Sequence, residues 1–370
     1  MIQKIAAIPC HTYAQAEVDT AVTRIFKAFG GAAAIAKTGH RVCIKPNLLM
    51  PRKPEDATTT HPAVVSAVTR QFTALGCTVE IADSCGGPYN AAMSKLLYRK
   101  TGMAQVAEDT GAIIRYDGET TASEVPLAAG AARKFHIIQP IVDADVIINI
   151  AKLKTHGLGH YTGAVKNMYG VVAGLQKAKG HAAFKSRQEF FACLLDLYQH
   201  ITPQFNIIDG IVGMEGDGPS GGTPRSANVL LGGIDGHVLD QFAVWLTHLD
   251  ESKVFTLVDA QKRGILEDTP PRAPHDVERV RFRQPSTDKN STIILRTLLP
   301  RRLRNYLRDR RMPYPHVIGA KCTGCADCRR ICPEEAIEVA GKKAHILREK
   351  CIRCLCCHEV CPPKAMELKR

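Results

Sequence analysis

The chain has no run approaching the roughly 18 consecutive apolar residues of a membrane span. Its first residues, MIQKIAAIPCHTYAQ, lack a basic start followed by an apolar core and a cleavage site, so a cytoplasmic location is expected. No glycine fingerprint of the G-x-G-x-x-G type is read after a strand, so no nicotinamide site is expected. Cysteines at the C-x3-C-x2-C spacing of radical S-adenosylmethionine enzymes are also missing. What is present is a 370-residue chain, 45% hydrophobic, long enough for one large domain and a smaller one.

The formal charge is +13, but it is unevenly spread. Residues 295–370 hold 18 Lys and Arg against 8 Asp and Glu, leaving 31 against 28 for the rest. That distribution argues against nucleic acid as the main partner, because the basic tail is where the cysteines lie: nine of fourteen fall within residues 322–361. Two clusters with thiolate ligands would bring about four negative charges into that basic field.

Cys322-x2-Cys325-x2-Cys328-x3-Cys332-Pro333 recurs 29 residues later as Cys351-x2-Cys354-x2-Cys357-x3-Cys361-Pro362, an internal duplication. Each half reads as ligand loop, short helix, strand. At this spacing three close thiolates wrap one cluster and the fourth reaches the other. Cys322, Cys325, Cys328 and Cys361 are therefore expected to hold one 4Fe-4S cluster, and Cys351, Cys354, Cys357 and Cys332 a second. Cys356 is a spare thiol in the second loop. The tail resembles bacterial-type two-4Fe-4S ferredoxins, which implies one-electron transfer and a redox partner protein.

Upstream, strand-like runs at residues 41–44, 78–82, 112–115, 144–150, 205–208 and 229–231 alternate with helical patterns such as 62–75. This predicts an α/β fold: a doubly wound, mostly parallel sheet followed by a small α+β ferredoxin-like domain. The expected division is a large domain over 1–299, a basic linker with a short helix over 300–317, and the iron-sulfur domain over 318–370. Removal of residues 300–370 is expected to leave the large domain folded.

Ligands of such sheets bind beyond the carboxyl ends of the strands. There the sequence places Lys45 and Asn47, then Asp83, Ser84 and Cys85, then Lys152, Lys154, His156, His160 and Lys166, then Asp209 with Glu215 and Asp217 beyond it. The stretch 152–170, with four glycines, reads as a pliable loop whose lysines bind a small anion, with a histidine titrating near neutrality to handle a proton. Cys85 is a second candidate for direct chemistry, its thiol lowered by nearby amides. The carboxylates could hold a metal, orient a lysine or act as acid and base.

Lys45-Pro46-Asn47, Thr59-Thr60-His61-Pro62, Asp83-Ser84, Lys152-Leu153-Lys154-Thr155-His156, Gly163-Ala164-Val165-Lys166-Asn167 and Asp209-Gly210 together resemble the uncharacterised iron-sulfur-centre proteins built on domain of unknown function 362. That resemblance supplies no reaction. A shorter one links His156, His160 and Thr162-Gly163-x-x-Lys166 to lactate-racemase-type enzymes, with too few matching residues to assign their nickel-pincer nucleotide. The residues thus favour an iron-sulfur oxidoreductase that passes electrons to an anionic substrate or cofactor. The alternatives are a noncatalytic electron carrier or cofactor-assembly factor, and a nucleic-acid-binding protein.

Overall fold

In the computed structural model, residues 5–184, 186–267, 269, 277–288 and 314–369 are described. Among the described residues nine strands precede the cysteine-rich tail: β1 (Ala6–Pro9), β2 (Arg41–Pro46), β3 (Thr78–Ile81), β4 (Thr120–Pro126), β5 (Ala132–Ile138), β6 (Val146–His156), β7 (His160–Thr162), β8 (Phe205–Glu215) and β9 (Thr223–Gly233). Seven of them form one sheet in the order β1-β9-β8-β6-β2-β3, with β7 folded back on β6. The centre is parallel, through the pairs β2–β3, β2–β6 and β6–β8. One edge is antiparallel, through β8–β9 and β1–β9. The fold is thus α/β around a mixed sheet, and β9 runs against the parallel direction that strand-helix alternation implies.

The apolar runs explain why this sheet lies inside. All eleven residues of β6 are buried, as are five of six in β2, because helices cover both faces. One face packs Ile44, Ile148 and Ile150 against the helices Gln15–Lys27 and Pro62–Thr73. The other packs Ile147, Leu153 and Ile208 against Arg187–Ile201 and Gly236–Leu246. Helix Pro62–Thr73 begins where expected, with proline in its first turn and the His61 side chain accepting from the Ala63 amide.

Three expectations need correction. The run 112–115 contributes only an isolated bridge, Glu80 to Ile113, beside the edge strand β3. The hairpin β4–β5 occupies a stretch with no expected strand. Most consequentially, residues 152–156 are not a loop: β6 continues through His156 and turns into β7. The alternation Lys152-Leu153-Lys154-Thr155-His156 is the period-two pattern of a strand, and the glycines on either side obscured it. β8 likewise extends past Asp209-Gly210 to Glu215, with a register shift against β6.

In the tail, β10 (Tyr314–Val317) pairs with β13 (Met366–Lys369), and β11 (Ile337–Ala340) with β12 (Lys343–Ile346). The expected basic linker lies outside the described residues up to 313, and its last four residues form β10. The duplication is visible in the backbone: left-handed φ values recur at Gly324 and Arg353, Ala326 and Leu355, and Glu335 and Lys364, each pair one 29-residue period apart.

Candidate functional site

Alternate residues of a strand share a face, so Lys152, Lys154 and His156 project together as β6 leaves the sheet. Their fates differ. Lys152 Nζ donates to Asp209 Oδ2 and to the Tyr13 hydroxyl, both at 2.8 Å, and Tyr13 donates to Asp209 Oδ1 at 2.9 Å. The backbone amide of His61 completes the carboxylate's shell at 3.0 Å. Lys45 is tied in the same way to Asp83 at 2.7 Å, whose other oxygen accepts from the Leu48 amide. Both are buried ion pairs with satisfied partners, so Lys45, Asp83, Lys152 and Asp209 fasten the strand ends together. Lys45 and Lys152, expected among the anion-binding cations, are held in these closed pairs, and Asp83 and Asp209 orient them, one of the roles open to those carboxylates.

Lys154 has no such partner among the described residues. Its Nζ donates to Asn47 Oδ1 and the Thr58 carbonyl, each at 2.7 Å, and to no carboxylate there. Burial first, then the charges of Lys166 and Lys152, push its amine well below the ordinary lysine range. Asn47 is held in turn by Asn167, Asn167 by Asn149, and Asn149 by Asn206, each through a 2.8 Å bond. This amide chain crosses the strand ends from β2 to β8 and fixes the acceptor that Lys154 uses. Lys166 forms no hydrogen bond at Nζ among the described residues; burial lowers its amine and the nearby Glu359 opposes that.

His156 Nδ1 accepts the backbone amides of Leu158 (3.0 Å) and Gly159 (3.2 Å), so this nitrogen carries no proton and the neutral ring presents Nε2–H. Nε2 stands 3.3 Å from Glu359 Oε1, and neither atom has a hydrogen-bond partner of good geometry. Burial and the Lys166 charge push the imidazole down to about 4, overriding the attraction of Glu359. Burial alone would raise the Glu359 carboxyl, but the His156 contact and the Lys166 charge bring it below the usual carboxylate range. The two shifts do not mirror each other, and the Nδ1 bonds decide between them: a neutral imidazole faces an ionised carboxylate. The expected titration of His156 near neutrality is therefore corrected. His160 lies opposite His156 in the hairpin, with a left-handed φ of 70°.

Cys85 is buried, and desolvation pushes its thiol up rather than down, outweighing Lys177 and the Gly87 amide. Ser84 Oγ accepts from Lys177 Nζ and the Gly174 amide, both at 2.8 Å. Glu215 and Asp217 accept the Arg283 and Ser286 amides and act as turn carboxylates. Among the described residues no three His, Cys, Asp or Glu side chains converge as around a single metal ion. Gly216 to Gly221 has G-x-G-x-x-G spacing after β8, yet leads into β9 and not into a helix N-terminus, so it lacks that motif's phosphate-facing amides.

The glycines that suggested a pliable loop do something else. A Cβ at Gly163 would come within 2.0 Å of Asp240 Oδ1, which accepts the Ala164 amide while Oδ2 accepts that of Val165. One at Gly170 would reach 2.2 Å from Asp83 Oδ1 and 2.6 Å from Lys45 Nζ. They make room for protein side chains, not for a ligand.

The tail has donors in the arrangement a two-cluster domain needs. Cys332, Cys351, Cys354 and Cys357 line one apolar cavity together with the spare Cys356 and with Pro315, Ile337, Ile346 and Leu355. Cys328 has Cys361, Cys325 and Cys322 as its neighbouring thiols. The Ala336 amide donates to Cys332 Sγ at 3.3 Å and the Ala365 amide to Cys361 Sγ at 3.2 Å, the same bond in each repeat. Two thiol groups, each mixing three cysteines of one repeat with one of the other, fit 4Fe-4S cores.

The second repeat closes over the sheet edge. Ser220 Oγ donates to the Glu359 carbonyl at 2.7 Å, and Arg52 Nη2 to the Cys361 carbonyl at 2.9 Å. Val360 packs over Gly86, and Leu355 and Leu368 pack over Gly157. Glu359, which sequence reasoning missed, thus brings a carboxylate from the cluster-bearing helix Cys356–Glu359 to β6. Its one sequence signal is that Arg330 holds the equivalent position in the first repeat.

Residues 315–362 match the 4Fe-4S dicluster domain, which implies electron transfer. A thylakoid-associated protein of Synechocystis is 28% identical over 276 residues, covering 72% of this chain and 81% of that protein. The lactate racemase apoprotein structure from Thermoanaerobacterium thermosaccharolyticum aligns with a TM-score of 0.41 at 14% identity, over 67% of this chain and 58% of that one. Among the described residues no helix is long and apolar enough to cross a membrane. Residues 42–245 match the Domain of unknown function (DUF362), and the chain belongs to that family, with a 4Fe-4S dicluster domain following it.

Proposed function

We propose that this protein is an iron-sulfur oxidoreductase whose tail supplies single electrons to a small anion held at the sheet edge. The observation that carries the reading is the pair Lys154 and Lys166. These are two amines that burial lowers, Lys154 fully buried and Lys166 half-buried, neither with a carboxylate hydrogen bond among the described residues, next to the His156–Glu359 contact that joins the cluster-bearing helix to β6. An anion between them would stabilise the ammonium forms that burial disfavours, so binding should take up protons. Crossed ligation assigns Cys322, Cys325, Cys328 and Cys361 to one cluster and Cys351, Cys354, Cys357 and Cys332 to the other; such clusters supply one-electron reducing equivalents.

The chain's own groups account for the rest. Lys154, positioned by Asn47 and Thr58, and Lys166 hold the negative charge. The ammonium form of Lys154 or Lys166 that the anion stabilises can donate the proton that accompanies an added electron, while the neutral His156, its Nε2 facing the ionised Glu359, keeps the cluster-bearing helix docked beside them. The closed helix keeps water from the site, which strengthens these charge interactions.

The test is anaerobic purification followed by mass spectrometry of the bound small molecule and iron analysis of the same sample. Lys154→Ala and Lys166→Ala should lose the ligand while keeping about eight irons per chain. His156→Ala should retain it and reoxidise its clusters more slowly when ligand is added. Lysine variants that keep the ligand in full would refute the reading.

A further inference from the structure

The two halves of the tail share a sequence pattern but not an environment. In the second repeat the helix Cys356–Glu359 is covered by the large domain: Leu355, Cys356, Cys357 and His358 are all buried. In the first repeat the equivalent helix, Asp327–Ile331, turns Arg329 and Arg330 outward, and Cys325, the counterpart of Cys354, is exposed. Position by position across the 29-residue period, Arg329 stands where the second repeat has His358, and Arg330 where it has Glu359. The duplication has diverged into an inward half that meets the sheet edge and an outward half that meets solvent.

The ligand loop of the outward half is basic, with the exposed Glu334, Glu335 and Glu338 following it in the chain. Lys321 and Arg329 are exposed beside the ligand loop, as is Lys342 on the turn that closes against Gly324. Lys343 anchors that turn by donating to the Cys322 carbonyl at 3.0 Å. Between residues 319 and 330 the only acidic residue is Asp327, and it is already paired with Arg330. A ligand thiol at the surface, with nearby cations that have no ion-pair partner among the described residues, combines a short path for an electron with a field that attracts a negatively charged protein.

We propose that the surface formed by Lys321, Arg329 and Lys342 around Cys325 is the electron-entry port, and that its partner is a small acidic one-electron carrier protein. Electrons enter through the first repeat and leave through the second toward β6. In the entry step one electron leaves the reduced carrier and is taken up by the oxidised cluster of the first repeat; no bond is made or broken and no proton moves. The inference rests on the reading of the tail as an electron-delivery domain, but its test needs no ligand at the sheet edge, so the two can fail separately.

The probe is a reduced acidic [2Fe-2S] ferredoxin, mixed anaerobically with the oxidised, cluster-loaded full chain while the bimolecular reduction rate is followed by absorbance. The rate should fall as salt rises. The double variant Lys321→Glu with Arg329→Glu should be reduced about tenfold more slowly at low salt and converge on the unaltered chain at high salt. Its iron content and its reduction by dithionite should stay unchanged, which separates docking from cluster loss. A matched control, Arg24→Glu with Lys27→Glu, changes the net charge equally on an exposed helix face of the large domain and should leave the rate within about twofold. Equal slowing in both variants, or none in the first, would overturn the port.

Discussion

Lys152 and Lys154 lie on one face of one strand, and what distinguishes them is what stands opposite. Lys152 meets Asp209, brought beside it by the β6–β8 pairing, whereas Lys154 meets an amide oxygen and a carbonyl. Removing each should therefore have different consequences. Lys152→Met leaves a buried carboxylate unpaired and should cost about 3–5 kcal/mol. Lys154→Met leaves two neutral acceptors unpaired but also removes a desolvated amine, and should cost no more than about 1–3 kcal/mol. Denaturant unfolding of the two variants checks this; equal losses would mean that Lys154 is also a structural cation. The lysines were legible in the sequence as a group. Their sorting was not, because Asp209 lies 57 residues from Lys152 and nothing local marks it as a partner.

At the scale of elements, the extension of β6 and β8 past the parallel core replaces a flexible loop with a rigid hairpin, and the tightness of the segment that follows the hairpin can be measured. Gly170 leaves no space for a methyl group beside Asp83 and Lys45. Gly170→Ala should force the ion pair apart and cost about 1–3 kcal/mol, with a lower thermal midpoint. Were this variant as stable as the unaltered chain, the 163–170 segment would be as pliable as its glycine content suggests. The strand at 41–46 and the helix at 62–73 were legible from apolar runs and capping residues. The ends of β6 and β8 were not, since a glycine-rich composition and a period-two pattern overlap there and only pairing with β7 and β9 decides between them.

At the scale of the molecule, the tail changes the chemistry of the sheet edge by covering it. His156 is held near 4 by burial, and part of that burial comes from the second repeat. Between about pH 6.5 and 4 the unfolded chain binds a proton at this position that the folded chain does not. Stability should therefore fall as pH drops through that window, by about 3 kcal/mol from this group, and be independent of it above. Removing residues 300–370 should leave a folded large domain, as the complete central sheet suggests, but with His156 nearer water. Its ring should then titrate closer to 6.5, observable by NMR of the ring protons. A value near 4 in the truncated domain would show that the large domain alone buries it.

The sequence by itself determined the covalent logic of the tail, because cysteine spacing dictates how thiols can surround a cluster and a duplication of 29 residues is visible without coordinates. It also determined the alternation of apolar strands and helices, since burial on both faces leaves a one-dimensional trace. Only the tertiary structure decided which cations are spent in ion pairs, which remain without a carboxylate, and which half of the duplication faces the large domain. Those outcomes depend on distances between residues remote in sequence, and a partner that arrives through folding leaves no local signature.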